Sequence, residues 1–297
     1  MSKASLRRIA IIIKREYLQR VFTRSFAGST LLIPVLLVGM VAVPAYLIGV
    51  RPKPAAPGVL EHAATIGGAV AAGILLYILF VSLFSWGAIV MRAVLDEKQS
   101  RVLEILLCFA SPNELMAGKI LGIGALALTQ VMVWIAMAGA FVATSALLRG
   151  VLVALHLGSA ALAYFIVFDV LGYLLYSAMF CAIGAAFNSV DEAQQWTLIL
   201  VLPLIATGML LTTVLTRPDS PASVTFSIVP FTSPALMYAR VMIGHPPVWQ
   251  VAFSFAALIA AIVIAIRICA RIYRVGILMY GRRPGAREIL RWMRYAS

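Results

Sequence analysis

Six apolar runs of about 20 residues or more recur along this chain with short polar stretches between them, and that is the length a helix needs to cross a hydrocarbon core about 30 Å thick. They lie at Ala27 to Val50, Ile66 to Met91, Lys119 to Leu148, Ser159 to Phe187, Trp196 to Thr216, and Val248 to about Ile272. The alternation of apolar and polar residues that marks a membrane β-barrel is missing. The pattern predicts an all-α integral membrane protein with six transmembrane helices.

The stretches between the spans have patterns of their own. From Leu6 to Phe22, Leu6, Ile9, Ile13, Tyr17 and Val21 recur every three or four residues among Arg7, Arg8, Lys14, Arg15 and Gln19. That spacing predicts an amphipathic elbow helix lying in the membrane interface, with Glu16 its only acid. After span two, Val94 to Phe109 sets Leu95, Val102, Leu106 and Phe109 on one face and Glu97, Arg101 and Glu104 on another. The expectation is a helix with its apolar face on the bundle and its charged face, with Lys98 beside it, in the cytoplasm.

Ser111, Pro112 and Glu114 have the spacing of a capped helix start leading into span three. Gly118 and Gly122 flank Lys119 in a GxxxG pair that permits close helix packing. Ser189 and Glu192 repeat the capping spacing before span five. In the long stretch 217–247, Ser233 and Pro234 start a helix of about 11 residues, too short to span and so expected to be interfacial or re-entrant.

Composition agrees with a bilayer protein: 63% of residues are hydrophobic and 12% charged, with a mean hydropathy of +1.00, too little polar surface for a soluble globule. Charge sets the orientation, since cytoplasmic loops carry the excess of Lys and Arg. Seven fall in the N-terminal arm, four from Arg92 to Lys119 at the boundary of span three, and eight in the tail from Arg267, against five on the other side. Both termini are expected to be cytoplasmic, in a bacterial inner membrane. The first span is read as retained, being too long for a signal-peptide core.

The net charge of +13 suits anionic lipid headgroups. Nucleic acid is not the expected partner, because the basic tail also carries Trp292 and Tyr295 and reads as lying on the membrane surface. Cys108, Cys181 and Cys269 imply no outer disulfide framework. The domain reading is 1–26 elbow helix, 27–272 membrane domain with a helix at about 94–109 and an outer hairpin at about 217–247, and 273–297 basic cytoplasmic tail.

No catalytic constellation emerges, and no metal site is expected, because His62, His156 and His245 lack ligand spacing. The phosphate-cradling pattern GxxxxGK[ST] is absent too: Ile120 follows Gly118 and Lys119, and Asn113 stands where the first glycine belongs. The chain is therefore not expected to be an enzyme by that route, and an ATP site would have to lie on another subunit. Asp169 is the one ionisable residue well inside a span; it should face a cavity or a partner, or be protonated. Trp86, Trp196 and Trp249 lie near span ends, as interface anchors do.

The chain resembles the ABC-2 type permease family, the membrane subunits of ABC exporters, in its sodium-export-permease-like branch. The match is carried by Lys14 through Phe26, by Glu97, Lys98, Arg101 and Glu104 with the intervening apolar residues, by Ser111 and Pro112 leading to Gly118 and Lys119, and by Pro230, Ser233 and Pro234 through Arg240. The resemblance implies six spans, a coupling helix after span two that docks on a nucleotide-binding subunit holding ATP and Mg, and a second permease copy, identical or not. It also implies a re-entrant outer hairpin, and the leading expectation is that a dimer cleft lined by spans one, two and five carries substrate. The branch often carries a large outer domain after span one, which residues 51–65 replace here. A secondary transporter using Asp169 for protons or sodium, and a non-transporting membrane scaffold, are the rival readings.

Overall fold

The computed structural model describes the backbone at residues 3–32, 34–35, 57–100, 102–144, 159–243 and 246–276, and their side chains except at 57–77, 102–104, 138, 141–144 and 159–161. Among the described residues every regular element is a helix. In chain order they are α1 (Lys3–Val21), α2 (24–32), α3 (Pro57–Gln99), α4 (Val102–Phe109), α5 (Pro112–Thr144), α6 (Ser159–Ala186), α7 (Val190–Thr216), α8 (Pro221–Ile228), α9 (Ser233–Ile243) and α10 (Val248–Gly276).

Five of these are long and apolar enough to cross a membrane: Ile78–Gln99 in α3, Pro112–Met137 in α5, Leu162–Ala186 in α6, and the whole of α7 and α10. They coincide with expected spans two to six. Most of the first expected span lies outside the described residues, as do Arg101, the basic tail beyond 276 and the 145–158 connection.

Helix ends differ from the hydropathy reading where polar residues find partners. The second span was expected to stop at Met91, but α3 runs on to Gln99. Lys98 and Gln99 make this possible. Lys98 Nζ donates to the carbonyls of Ala185 (2.9 Å) and Phe187 (3.2 Å) at the end of α6, and Gln99 Nε2 donates to Asn188 O at 3.0 Å. An ammonium on the last carbonyls of a helix satisfies orphan acceptors and meets the negative end of its dipole. The stretch expected to form one helix from Val94 to Phe109 is consequently divided between α3 and α4.

The two anticipated capping starts are formed. Glu114 N donates to Ser111 Oγ at 3.3 Å, and Ser111 N donates in return to Glu114 Oε2 at 2.9 Å. Glu192 N donates to Ser189 Oγ at 3.3 Å, so α7 begins at Val190, six residues before the apolar run.

α6 is the central helix, packed along α3 on one side and α10 on another. Phe84 meets Phe180 edge-on at 5.9 Å, and Phe168 stacks on Phe255 at 4.6 Å. Where α3 and α6 come closest, Gly184 faces backbone: a Cβ there would lie 2.6 Å from Met91 O. Lipid tails are as apolar as leucine, so such close packing is what holds membrane helices together. Trp86 belongs to this interior and is no interface anchor; its Nε1 donates to Gln130 Oε1 at 3.0 Å. Trp249 is exposed, and Trp196 stacks on Phe187.

The end of the bundle that carries α8 and α9 is closed by neutral and singly charged hydrogen bonds. Residues Ser233 through Arg240 of α9 are all buried, so this short helix is enclosed by protein. Arg240 Nε donates to Pro218 O (2.8 Å) and Nη1 to Ser227 Oγ (3.0 Å), while Asp219 stands 3.4 Å from Nη2. Ser254 Oγ of α10 donates to Ser227 O and to Ser233 Oγ, and Tyr176 of α6 donates to Phe231 O, beside Pro230. The hairpin is thereby fastened to α6 and α10.

A bulky side chain at Gly184 must push α6 away from α3. Gly184→Leu is expected to cost about 3 kcal/mol, the upper end of overpacking penalties, read as a lower heat-induced aggregation midpoint of the detergent-purified protein. Gly139→Leu, at a position with open space around it, should leave the midpoint unchanged.

Candidate functional site

At the other end of the bundle the amphipathic α1 lies along α5. The GxxxG pair explains how closely. A Cβ at Gly118 would lie 2.6 Å from the Ile12 side chain, and one at Gly122 would lie 2.7 Å from Glu16 Cβ and 3.0 Å from Ile13 O. These two glycines therefore form a shallow groove for α1. Ile9 and Glu16 are its buried residues, and Tyr17 Oη shares a hydrogen bond with Thr129 Oγ1 at 3.1 Å.

That docking carries a carboxylate into the protein. Glu16 and Lys119 are each only 2% exposed, and Lys119 Nζ donates to Glu16 Oε1 at 3.0 Å. The same ammonium lies 3.0 Å from Glu97 Oε1, on α3, and 3.4 Å from Ala93 O. Arg20, one turn along α1, pairs with the other oxygen of Glu16, while Arg15 stands 3.7 Å from Glu97 Oε1. Arg8 reaches Glu114 at the start of α5 at 3.4 Å. Three helices thus meet around one ammonium group.

The electrostatics follow from burial and charge. Burial alone would raise the Glu16 pKa, but the attraction of Lys119 and of Arg20, with their hydrogen bonds, outweighs it and holds the carboxyl below its ordinary 4.5. Glu16 is therefore ionised at neutral pH, as a cation relay between α5 and α1 requires.

The residues singled out in the sequence are placed as follows. Glu97 was expected on a charged face in the cytoplasm, and Glu97, Lys98 and Glu16 were expected to couple to an ATPase subunit; Lys98 and Glu16 are buried and Glu97 is 12% exposed. The reason is Lys119, which draws the carboxylates inward, together with the α6 carbonyls that take Lys98. Arg101 and the side chain of Glu104 lie outside the described residues. On α4, Leu106 is half-buried, while Ile105 and Phe109 are 63% and 73% exposed, so the Phe109 face does not rest on the bundle as expected. The sequence reading missed the ion-pair roles of Arg8, Arg15 and Arg20. Only Glu16 with Arg20, at i,i+4 spacing, carried a local signal.

Asp169 is set apart from this cluster. It lies on α6, 2% exposed, at a mostly apolar cavity of about 180 Å³ formed with α5 residues such as Gly124 and Leu128 and with Tyr173. Its Oδ1 has no hydrogen-bond partner. Pro230, Ser233, Pro234 and Arg240 belong to the opposite end, and their contacts there are with the hairpin, α6 and α10.

Removing the shared cation leaves Glu16 and Glu97 each with only a partly exposed arginine, Arg20 and Arg15. Lys119→Met is expected to destabilise the protein by about 3 kcal/mol or more, as for one partner removed from a buried pair, whereas Arg8→Met, at a half-exposed pair, should change the thermal midpoint little. Because the Glu16 pKa is lowered on folding, its contribution is full above pH 4.5 and is lost as pH falls through the lowered value. The midpoint gap between wild type and Glu16→Gln should therefore be flat from neutral pH to about pH 5 and close below 4.5.

Comparison with known sequences agrees with this architecture. Residues 61–271 match the family described as "ABC-2 family transporter protein". The chain is 31% identical over 215 residues to the uncharacterized protein MJ1024 of Methanocaldococcus jannaschii, covering 72% of this chain and 51% of that one. It is 29% identical over 230 residues to the uncharacterized protein YhaP of Bacillus subtilis, covering 75% and 55%. The chain thus spans about half the length of these curated relatives. With that match running over described spans two to six and through the Glu97 and Lys119 positions, the chain belongs to the ABC-2 transporter family and is a multi-pass membrane protein.

Proposed function

We propose that this chain is the permease subunit of an ATP-driven exporter in the cytoplasmic membrane of a bacterium. It works with a second permease copy and with two separate nucleotide-binding subunits that hold ATP and Mg. Both of its termini, and α4, lie on the cytoplasmic side. The observation that carries this reading is the junction at Lys119. The segment 100–111 sits between the end of α3 and the start of α5, and both of those helix ends are tied, through Glu97 and Lys119, to α1. A force on α4 would reach three helices at once.

α4 has the surface for such a force. Ile105 and Phe109 are exposed, and an exposed aromatic is the usual anchor of a protein interface. ATP-driven closure of the partner subunits would displace α4, and the ion-paired ends of α3 and α5 would follow as a rigid unit. The bundle would then change between inward-open and outward-open states because the partner binds one better than the other. The expected substrate cleft lies between two copies, on spans one, two and five. In α7, the fifth span, Leu198, Leu202, Ile205 and Met209 face outward from this single chain, leaving that surface open to a second copy or to lipid.

The second reading, an ion-coupled carrier, is favoured by one observation, the unpartnered Oδ1 of Asp169 at a cavity. In that case transport would follow an ion gradient, survive ATP depletion and be lost in Asp169→Asn.

The test is reconstitution with the cognate ATPase subunit. Phe109→Asp is expected to weaken co-purification of that subunit about tenfold or more, the loss of an interface anchor, with normal membrane insertion. Glu104→Arg is expected to leave ATP hydrolysis running while transport falls. Full transport by the purified chain with no ATPase present would sink the proposal.

A further inference from the structure

The turn between α1 and α2 overhangs a cavity of about 370 Å³ that the transport reading leaves unused. Its rim is polar, with Arg20, Thr23, Ser25 and Ser29, and its depth is aromatic and apolar, with Trp86, Trp134 and Leu126. Ser82, 1% exposed, also lines it. Among the described residues no carboxylate does. A polar rim over an apolar wall is the shape of an amphiphile site.

The charge of the rim follows from the cluster beside it. Arg15, Arg20 and Lys119 face Glu16 and Glu97 in one connected set of ion pairs, three cations against two anions. Lys119 is divided between both carboxylates and sealed from solvent, so the unbalanced charge falls to the arginines. Of these only Arg20 lines the cavity. It contacts Glu16 through Nη1 alone, leaving Nε and Nη2 without partners among the described residues. The rim therefore has room for one negative charge and donors to bind it.

The place in the fold selects the source of that charge. α1 exposes Leu6, Ile11 and Leu18 beside its basic residues, and the turn after it exposes Phe22, as a helix lying in the headgroup layer does. The turn that follows it then sits at headgroup depth. We propose that this cavity seats one anionic phospholipid, its phosphodiester on Arg20 with the hydroxyls of Ser25 and Ser29, and an acyl chain against Trp86 and Leu126. The bound monoanion completes the charge balance of the cluster that ties α1 to α3 and α5. The choice of the inner leaflet rests on the orientation proposed above; the site itself does not.

The experiment is native mass spectrometry of the delipidated full chain given equimolar phosphatidylglycerol and phosphatidylcholine. The wild type should retain one phosphatidylglycerol with a preference of about fivefold, the gain one basic residue contributes at an anionic surface. Arg20→Gln should bring that preference close to one. Ser29→Trp, at an exposed rim position remote from the ion pairs, should block retention of either lipid while gel filtration stays normal, so it decides the matter if Arg20→Gln does not fold. Equal retention of the two lipids by wild type, or unchanged phosphatidylglycerol retention in the folded variants, would overturn the site. Displacement of the lipid by an equal concentration of soluble glycerol phosphate would overturn the lipid as its occupant. None of these outcomes depends on ATP or on transport, so the site can fail while the exporter reading stands.

Discussion

Lys119 stands 3.0 Å from Glu16 and 3.0 Å from Glu97 in surroundings almost closed to solvent, and an ammonium held in this way makes α1, α3 and α5 conditional on one another. Each of the three groups loses hydration on burial, and the opposite charge of its neighbours offsets that loss. Together they are tolerated. The Gly118 and Gly122 groove is the geometric counterpart of the same constraint: without it Glu16 could not come close enough to reach the ammonium. Packing and charge therefore define one junction, and the end of α3 lies next to it.

The two ends of the bundle are built on different principles. Around Arg240 the donors are met chiefly by carbonyls and hydroxyls, from Pro218 O to Ser227 Oγ, and α9 is enclosed on every side. Around Lys119 the partners are full charges, one of them brought in by a helix that otherwise lies across the surface. Neutral hydrogen bonds in a dry interior favour one arrangement. A set of shared ion pairs with one uncompensated positive charge is easier to bias from outside, by an approaching subunit or by a bound anion. Between the two ends α6 provides continuity, packed tightly against α3 where Gly184 meets Met91.

Much of this was legible in the residues. Apolar runs located the helices now described as α3, α5, α6, α7 and α10, since a bilayer leaves a long apolar segment few alternatives to a helix. Capping chemistry marked the starts at Ser111 and Ser189, where side chain and backbone are three residues apart and no tertiary information is needed. The family likeness was carried by four stretches: those holding Glu16, Glu97 and Lys119 meet at the Lys119 junction, while Pro230 through Arg240 lies at the other end of the bundle. What hydropathy misjudged was where polar residues go. It stopped span two at Met91 and turned Glu97, with Lys98 beside it, toward water. It could not know that Lys119 and the carbonyls of Ala185 and Phe187 were waiting for them.

The sequence by itself determined that the chain is a helical membrane protein and where most of its spans lie, because these depend on the length and polarity of contiguous segments. The tertiary structure alone decided which charges are internal. Glu16 and Lys119 are 103 residues apart and Lys98 and Ala185 are 87 apart, and a lone acid in a basic arm reads the same whether it faces water or a buried ammonium. Burial of a charge is a property of the pair, and no local pattern records a pairing over such distances.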